Sequence, residues 1–96
     1  MREPAVYMLA TKPYGTLYIG VTSDLVKRIW EHRNNAADGF TKRYGAHHLV
    51  HFEQFRSMVE AIEREKELKK WRRAWKIALV EETNPDWQDL WPEISQ

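Results

Sequence analysis

Ninety-six residues with no cysteine and a formal net charge of +1 exclude a second large core, a disulfide framework, a thiolate metal site and a cysteine nucleophile. No apolar run approaches the ~18–20 residues of a membrane span, and Met1-Arg2-Glu3-Pro4 has no signal-type hydrophobic stretch, so a cytoplasmic protein is expected. The charge is uneven: Glu81, Glu82, Asp86, Asp89 and Glu93 stand in a stretch without Lys or Arg, which leaves residues 1–80 with all 15 basic residues against nine acids. A basic body of this kind is compatible with a nucleic-acid partner. With 43% hydrophobic and 30% charged residues the chain reads as one globular domain over residues 1–96. Its core is expected at about residues 4–80, followed by an acidic, tryptophan-containing tail at 81–96.

Residues 5–11 read A-V-Y-M-L-A-T, apolar throughout, as befits a central strand covered on both faces. Lys12-Pro13-Tyr14-Gly15 is a turn, with proline fixing φ and glycine allowing φ > 0. Residues 16–21 form a second strand, rich in β-branched and aromatic residues, and so short a connection predicts an antiparallel hairpin. Thr22 or Ser23 then caps a helix that has Asp24 in its first turn and runs to about Asn34. Residues 34–45 are a polar loop, and residues 48–55 fit a third strand. Ser57 and Glu60 make a capping box for a helix to about Lys70. Residues 71–82 either continue it or form a separate helix, ended at Asn84-Pro85 because the residue before proline avoids the helical region. Trp87, Leu90 and Trp91 are expected to fold back over a groove in the body.

Two charged residues stand where apolar ones belong. At ~100° per residue, Leu25, Arg28, Ile29 and His32 share the inward stripe of the first helix, and Glu65 lies near the centre of the inward face marked by Met58, Ala61, Ile62, Leu68 and Lys69 on the second. A carboxylate on a packing face is costly unless paired or bound to metal. Arg28 and Glu65 therefore form an interhelical ion pair, snorkel to the edge, or mark a site where Glu65 holds a hard cation and Arg28 clamps an anion. Tyr7 and Tyr18 lie in the hairpin strands, and Gly20, two residues after Tyr18, is the kind of strand glycine that admits close approach of another group. His47, His48 and His51 lack the arrangement of a zinc site, since 48 and 51 point to opposite strand faces; exposed histidines are expected. Lys42, Arg43 and Tyr44 in the loop, and Lys69, Lys70, Arg72, Arg73 and Lys76 beside Trp71 and Trp75, are either solvated faces or contacts to a phosphate backbone.

The order Ala5-Val6-Tyr7, Tyr18-Ile19-Gly20, Lys27-Arg28, His32, Glu65 resembles the GIY-YIG nuclease superfamily over about residues 4–75. The second motif is verbatim; the first has Ala5-Val6 in place of Gly-Ile and keeps the tyrosine. The residue 44 region, the K-K-W-R-R-A-W-K run and the Asn84-Pro85 tail look like the small stand-alone bacterial members, which resemble the nuclease domain of the excinuclease subunit of nucleotide excision repair. The resemblance implies an α+β fold, a three-stranded antiparallel sheet flanked by helices, and metal-dependent hydrolysis of DNA to 5′-phosphate and 3′-hydroxyl ends. It implies Glu65 as the ligand of Mg²⁺ or Mn²⁺, Tyr18 as general base, Tyr7 as its support, Arg28 on the scissile phosphate and His32 orienting water or phosphate. Asn84 matches a supporting asparagine. A tyrosine base, with an ordinary pKa of about 10, implies activity rising with pH. The expected partner is DNA, branched or damaged forms included, with protein partners supplying specificity and no membrane. The alternative is a nucleic-acid-binding module on the same fold with little or no cleavage; a protein-interaction domain is the third class.

Overall fold

The computed structural model describes residues 3–34, 45 and 47–96. Three strands, β1 (Ala5–Ala10), β2 (Leu17–Thr22) and β3 (His48–Gln54), form an antiparallel sheet in the order β2-β1-β3. The all-apolar strand takes the centre, and each of its six residues is buried. The β1–β3 register shifts between Met8 and Leu9. The hairpin turn departs from expectation in one detail. The positive φ falls on Tyr14, at 60°, and Gly15 is needed for space instead, since a Cβ there would lie 2.2 Å from Thr11 Oγ1. Tyr14 is held in this unusual backbone region by a hydrogen bond from its hydroxyl to Glu81 and by its ring against Trp87.

Alternation along β1 sends Val6, Met8 and Ala10 to one face and Ala5, Tyr7 and Leu9 to the other. On the Val6 face pack α2 (Met58–Lys70) and α3 (Arg73–Thr83), through Ala61, Leu68 and Val80. On the Tyr7 face packs α1 (Leu25–Arg33), through Leu25 and Ile29. Asp24 is the cap of α1, accepting from the Lys27 amide, so the helix begins later than a Thr22 or Ser23 cap predicts. Thr22 Oγ1 accepts from the Asp24 amide instead. Ser57 caps α2 as its capping box predicts, accepting from Glu60 N. The backbone is extended at Trp71 and Arg72, with ψ of 147° and 157°, so α3 is a separate helix. Among the described residues no helix is long and apolar enough to cross a membrane.

The tail rounds the β3 edge and closes both faces. Trp87 is buried with the Val6 face, whereas Leu90 and the short α4 (Trp91–Ile94) pack on the Tyr7 face. Leu90 N donates to Leu49 O at 2.7 Å, Leu49 N donates to Asp89 Oδ1 at 3.2 Å, and Asn84 Nδ2 donates to Val50 O at 3.1 Å. Three backbone groups of β3, the Leu49 amide and the Leu49 and Val50 carbonyls, are thus taken up by the tail and do not stand open as on a bare edge strand.

A charged cluster ties α2 to β3. Arg64 donates to Glu53 at 2.8 and 3.2 Å, and His51 Nε2 lies 2.8 Å from the same carboxylate. Burial opposes the Glu53 charge, yet the His51 and Arg64 hydrogen bonds outweigh it and hold this carboxyl at about 2. A depressed carboxyl pKa contributes stability that is complete above the unfolded value, ordinarily 4.5, and is lost as pH falls through about 2. Thermal melts between pH 5 and pH 2 should therefore show wild type losing on the order of 1–3 kcal/mol that Glu53→Gln does not lose over the same window. Parallel pH profiles for the two proteins would place acid sensitivity elsewhere.

Candidate active site

Antiparallel pairing sets Tyr7 opposite Gly20, and the Tyr7 ring lies across the glycine. A Cβ at position 20 would come within 2.3 Å of the phenolic oxygen and 2.4 Å of Cζ. The strand glycine therefore does admit a close neighbour, and that neighbour is Tyr7. Tyr18, two residues before Gly20, has its ring 6.3 Å from that of Tyr7. One turn apart on α1, Arg28 and His32 come down over this pair. The His32 ring lies 5.5 Å from Tyr7 and 5.7 Å from Tyr18, and its Nε2 is 2.9 Å from the Tyr7 hydroxyl.

The buried pair is electrostatically quiet. Burial pushes the Tyr7 phenol up to about 12, although the neighbouring Arg28 guanidinium pulls it down. Burial, joined by the Arg28 charge, lowers His32 to about 4. Near neutral pH Tyr7 is therefore protonated and His32 uncharged. A guanidinium can only donate hydrogen bonds, so the Tyr7 phenolic oxygen accepts from Arg28 while it also meets Tyr18 and His32 Nε2. Tyr18 is half-buried, unlike Tyr7, and Arg28 reaches the surface with 37% of its side chain exposed. Arg28 Nη1 meets Glu31 Oε1 at 3.2 Å, and the two border a polar cavity of about 390 Å³ with Thr22, Ser23, Asp24 and Lys27.

Tyr7, Tyr18, Arg28 and His32 are thus brought together. Glu65 occupies the inward stripe of α2 between Ala61 and Leu68 with 15% of its side chain exposed, and its carboxylate meets Lys69 Nζ at 3.1 Å. It belongs to the helix that covers the opposite face of the sheet from α1, so the interhelical Arg28–Glu65 ion pair is not formed. The carboxylate at Arg28 is Glu31, a partner for which the i,i+3 spacing of the two was the available sequence signal. What links Glu65 to the tyrosines is β2. This edge strand carries Tyr18 and Gly20 toward one face and Ile19 toward the other, and α2 packs chiefly against it and β1.

Among the described residues no group of three or more His, Cys, Asp or Glu side chains is placed to cage a metal. A lone, largely buried carboxylate such as Glu65 suits the one class of ion that needs no cage: hydrated Mg²⁺ or Mn²⁺, which keeps several waters and takes phosphate oxygens as further ligands.

The remaining candidates divide. Lys42, Arg43 and Tyr44 lie outside the described residues. Lys70 is exposed; Lys69 is engaged by Glu65 and is itself exposed, which corrects its place on the inward face of the helix. Arg73 donates to the carbonyls of Tyr14 at 2.6 Å and Gly15 at 2.8 Å, so it braces the hairpin turn. Asn84 is buried, and both ends of its amide are used, donating to Val50 O and Gln88 O and accepting from Gln88 N. It caps α3 and pins the tail. His51 is buried beside Glu53, which corrects the expectation of exposure for that histidine, whereas His48 is exposed as expected. Trp75 is exposed.

The sequence pattern of the GIY-YIG catalytic domain matches residues 3–78. A UPF0213 protein of Staphylococcus saprophyticus is 36% identical over 82 residues, 85% of this chain and 99% of that protein. One from Clostridium perfringens is 40% identical over 75 residues, 78% of this chain and 80% of that protein. The solution NMR structure of a UPF0213 protein from Bacillus halodurans superposes with a TM-score of 0.58 at 31% identity, covering 91% of this chain and 92% of that one. The likeness to the excinuclease nuclease domain has no counterpart among these relatives. Matched over most of its length in sequence, and carrying the paired-tyrosine hairpin with its glycine under the first ring, the chain belongs to the GIY-YIG catalytic domain family.

Proposed function

We propose that this protein is a divalent-metal-dependent endonuclease that hydrolyses DNA phosphodiester bonds with Tyr18 as general base. The observation that carries the reading is the contrast between the two tyrosines. Tyr7 is buried, bonded to His32 and held near 12, and cannot take a proton at working pH. Tyr18 is half-exposed beside it, on the face where Arg28 opens to a polar cavity. In this reading Tyr18 takes the proton of a water whose oxygen attacks phosphorus. The P–O3′ bond breaks and the leaving O3′ takes a proton from a second water, leaving a 5′-phosphate and a 3′-hydroxyl. Arg28, with a planar fork that meets two phosphate oxygens, neutralises the charge that grows on them. Tyr7 and His32 hold that arginine and Tyr18 in register. Glu65 would hold Mg²⁺ or Mn²⁺, which supplies Lewis-acid stabilisation of the phosphoryl oxygens.

The chemistry so assigned is similar to that of the excinuclease nuclease domain. No part of the chain reads as a dedicated base-reading module, so selectivity is assigned to the shape of the DNA or to protein partners.

A second reading rests on two ion pairs. Glu65 is matched by Lys69 and Arg28 by Glu31, so both working charges are already satisfied, as a binding module without cleavage would require. One experiment separates the readings. The purified protein is incubated with branched, nicked, single-stranded and duplex DNA, with Mg²⁺ or Mn²⁺ against a chelator, between pH 6 and pH 10. Metal-dependent cleavage that rises with pH is expected of a tyrosine base. Retained binding with no cleavage of any form would establish the binding module instead.

A further inference from the structure

Trp30 is a large apolar side chain left 52% exposed on α1. It helps line a groove of about 440 Å³ with Asp24, Val26, Lys27, Trp91 and Ser95. Asp24 and Lys27 also border the polar cavity at Arg28. The two depressions thus share a wall, and Lys27 and Trp30 are one helical step apart, about 4.5 Å along the axis. The second tryptophan of the groove carries the Arg33 guanidinium 5.2 Å from its ring centre.

We propose that this groove is a nucleobase subsite, which takes an unpaired base next to the phosphate held at Arg28. The inference rests on the nuclease reading for the identity of that phosphate, and it names the substrate class: DNA with unpaired nucleotides at the site. Three features favour a base as the occupant. The groove joins the polar cavity that holds Arg28 to an aromatic surface, a polar part beside a stacking part, as in a nucleotide. Exposed Lys27 at the junction gives a cationic flank suited to a polyanion, while Arg33 over Trp91 is paired with Asp89. The Asp24 and Ser95 side of the groove offers polar atoms to a base edge. In a duplex the faces of the bases are hidden in the stack, so an exposed indole gains contact only from a base that has left it. Stacking is tolerant of sequence, so the subsite selects structure and not a base order.

The test measures affinity in chelator, so that cleavage plays no part, for a single-stranded oligonucleotide and for a duplex of equal length. Trp30→Ala should lower the preference for the single strand about tenfold, within the range measured when a stacked aromatic is removed. Trp30→Phe should retain most of the preference. Trp30→Leu keeps apolar volume without a π-face and should behave like the alanine variant; it also serves if the alanine variant folds poorly. An unchanged preference in Trp30→Leu, or no preference in wild type, overturns the subsite. The outcome is separable from the nuclease reading. A Trp30-dependent preference without cleavage by wild type would sink the nuclease and keep the subsite; cleavage with Trp30-independent binding would do the reverse.

Discussion

Tyr18→Phe should reduce the rate of DNA cleavage by roughly 10²–10⁴-fold, the usual worth of a positioned general base, and should abolish its rise with pH. The variant removes one oxygen from a half-buried ring and leaves the packing of β2 intact, so the loss is expected in the chemical step, measured by single-turnover kinetics. Tyr7→Phe provides the contrast. That hydroxyl stays protonated near neutrality because burial holds it at about 12, so its removal should leave the rise with pH in place. It should instead cost stability, about 1–3 kcal/mol, because the buried His32 Nε2 loses its partner. Glu65→Gln completes the set. It keeps the size of the side chain while removing the charge that would hold the metal, so cleavage should vanish while DNA binding in chelator persists. If wild type, Tyr18→Phe and Glu65→Gln all cleave alike, the activity comes from another site or from a contaminant.

Gly20→Ala should damage both fold and activity. The new methyl would stand 2.3–2.4 Å from the Tyr7 oxygen and Cζ, and Tyr7 is buried with His32 against its hydroxyl, so the ring has nowhere easy to go. Overpacking of this kind typically costs about 1–3 kcal/mol, which in a domain of this size lowers Tm by on the order of 10 °C. Removing the hydroxyl alone would not help, because Cζ remains in the way. Gly20→Ala combined with Tyr7→Leu should recover much of the melting temperature and none of the site geometry. A singly substituted Gly20→Ala protein that melts and cleaves like wild type would mean that the Tyr7 ring does not cross the strand there.

How far the sequence discloses this molecule depends on the range over which each signal acts. The centrality of β1 follows from its unbroken apolar run, since only a strand covered on both faces can bury every residue. The Ser57–Glu60 start of α2 and the glycine under an approaching group are local signals, and both were legible. Arg28 and His32 were legible as misplaced polar residues on an apolar stripe. The position of Glu65 was half legible. Its burial follows from helical spacing, but the choice of sheet face for α2 is a matter of chain crossover, which periodicity does not encode. The Gly15 and Tyr14 exchange at the turn was hidden for a related reason. Tyr14 tolerates its backbone only because Glu81 and Trp87, more than sixty residues away, receive its side chain. Arg73 likewise reads as one cation in a basic run until the hairpin carbonyls are seen in front of it.

The tail that wraps the β3 edge sets a limit on how portable this domain is. The family pattern matches this chain as far as residue 78, which invites treating residues 3–78 as a cassette to be grafted onto DNA-binding proteins. Cut there, the cassette would lose the partners of the Leu49 amide and carbonyl and present a bare strand edge to its copies. It would also lose Asp89, which anchors Arg33 at the end of α1, and the Leu90, Trp91 and Ile94 side chains that pack with that helix. The helix that carries Arg28 and His32 would be moored at one end only. A transplant that keeps its site must therefore extend through Ile94, and in this protein the shared pattern is shorter than the folding unit that makes it work.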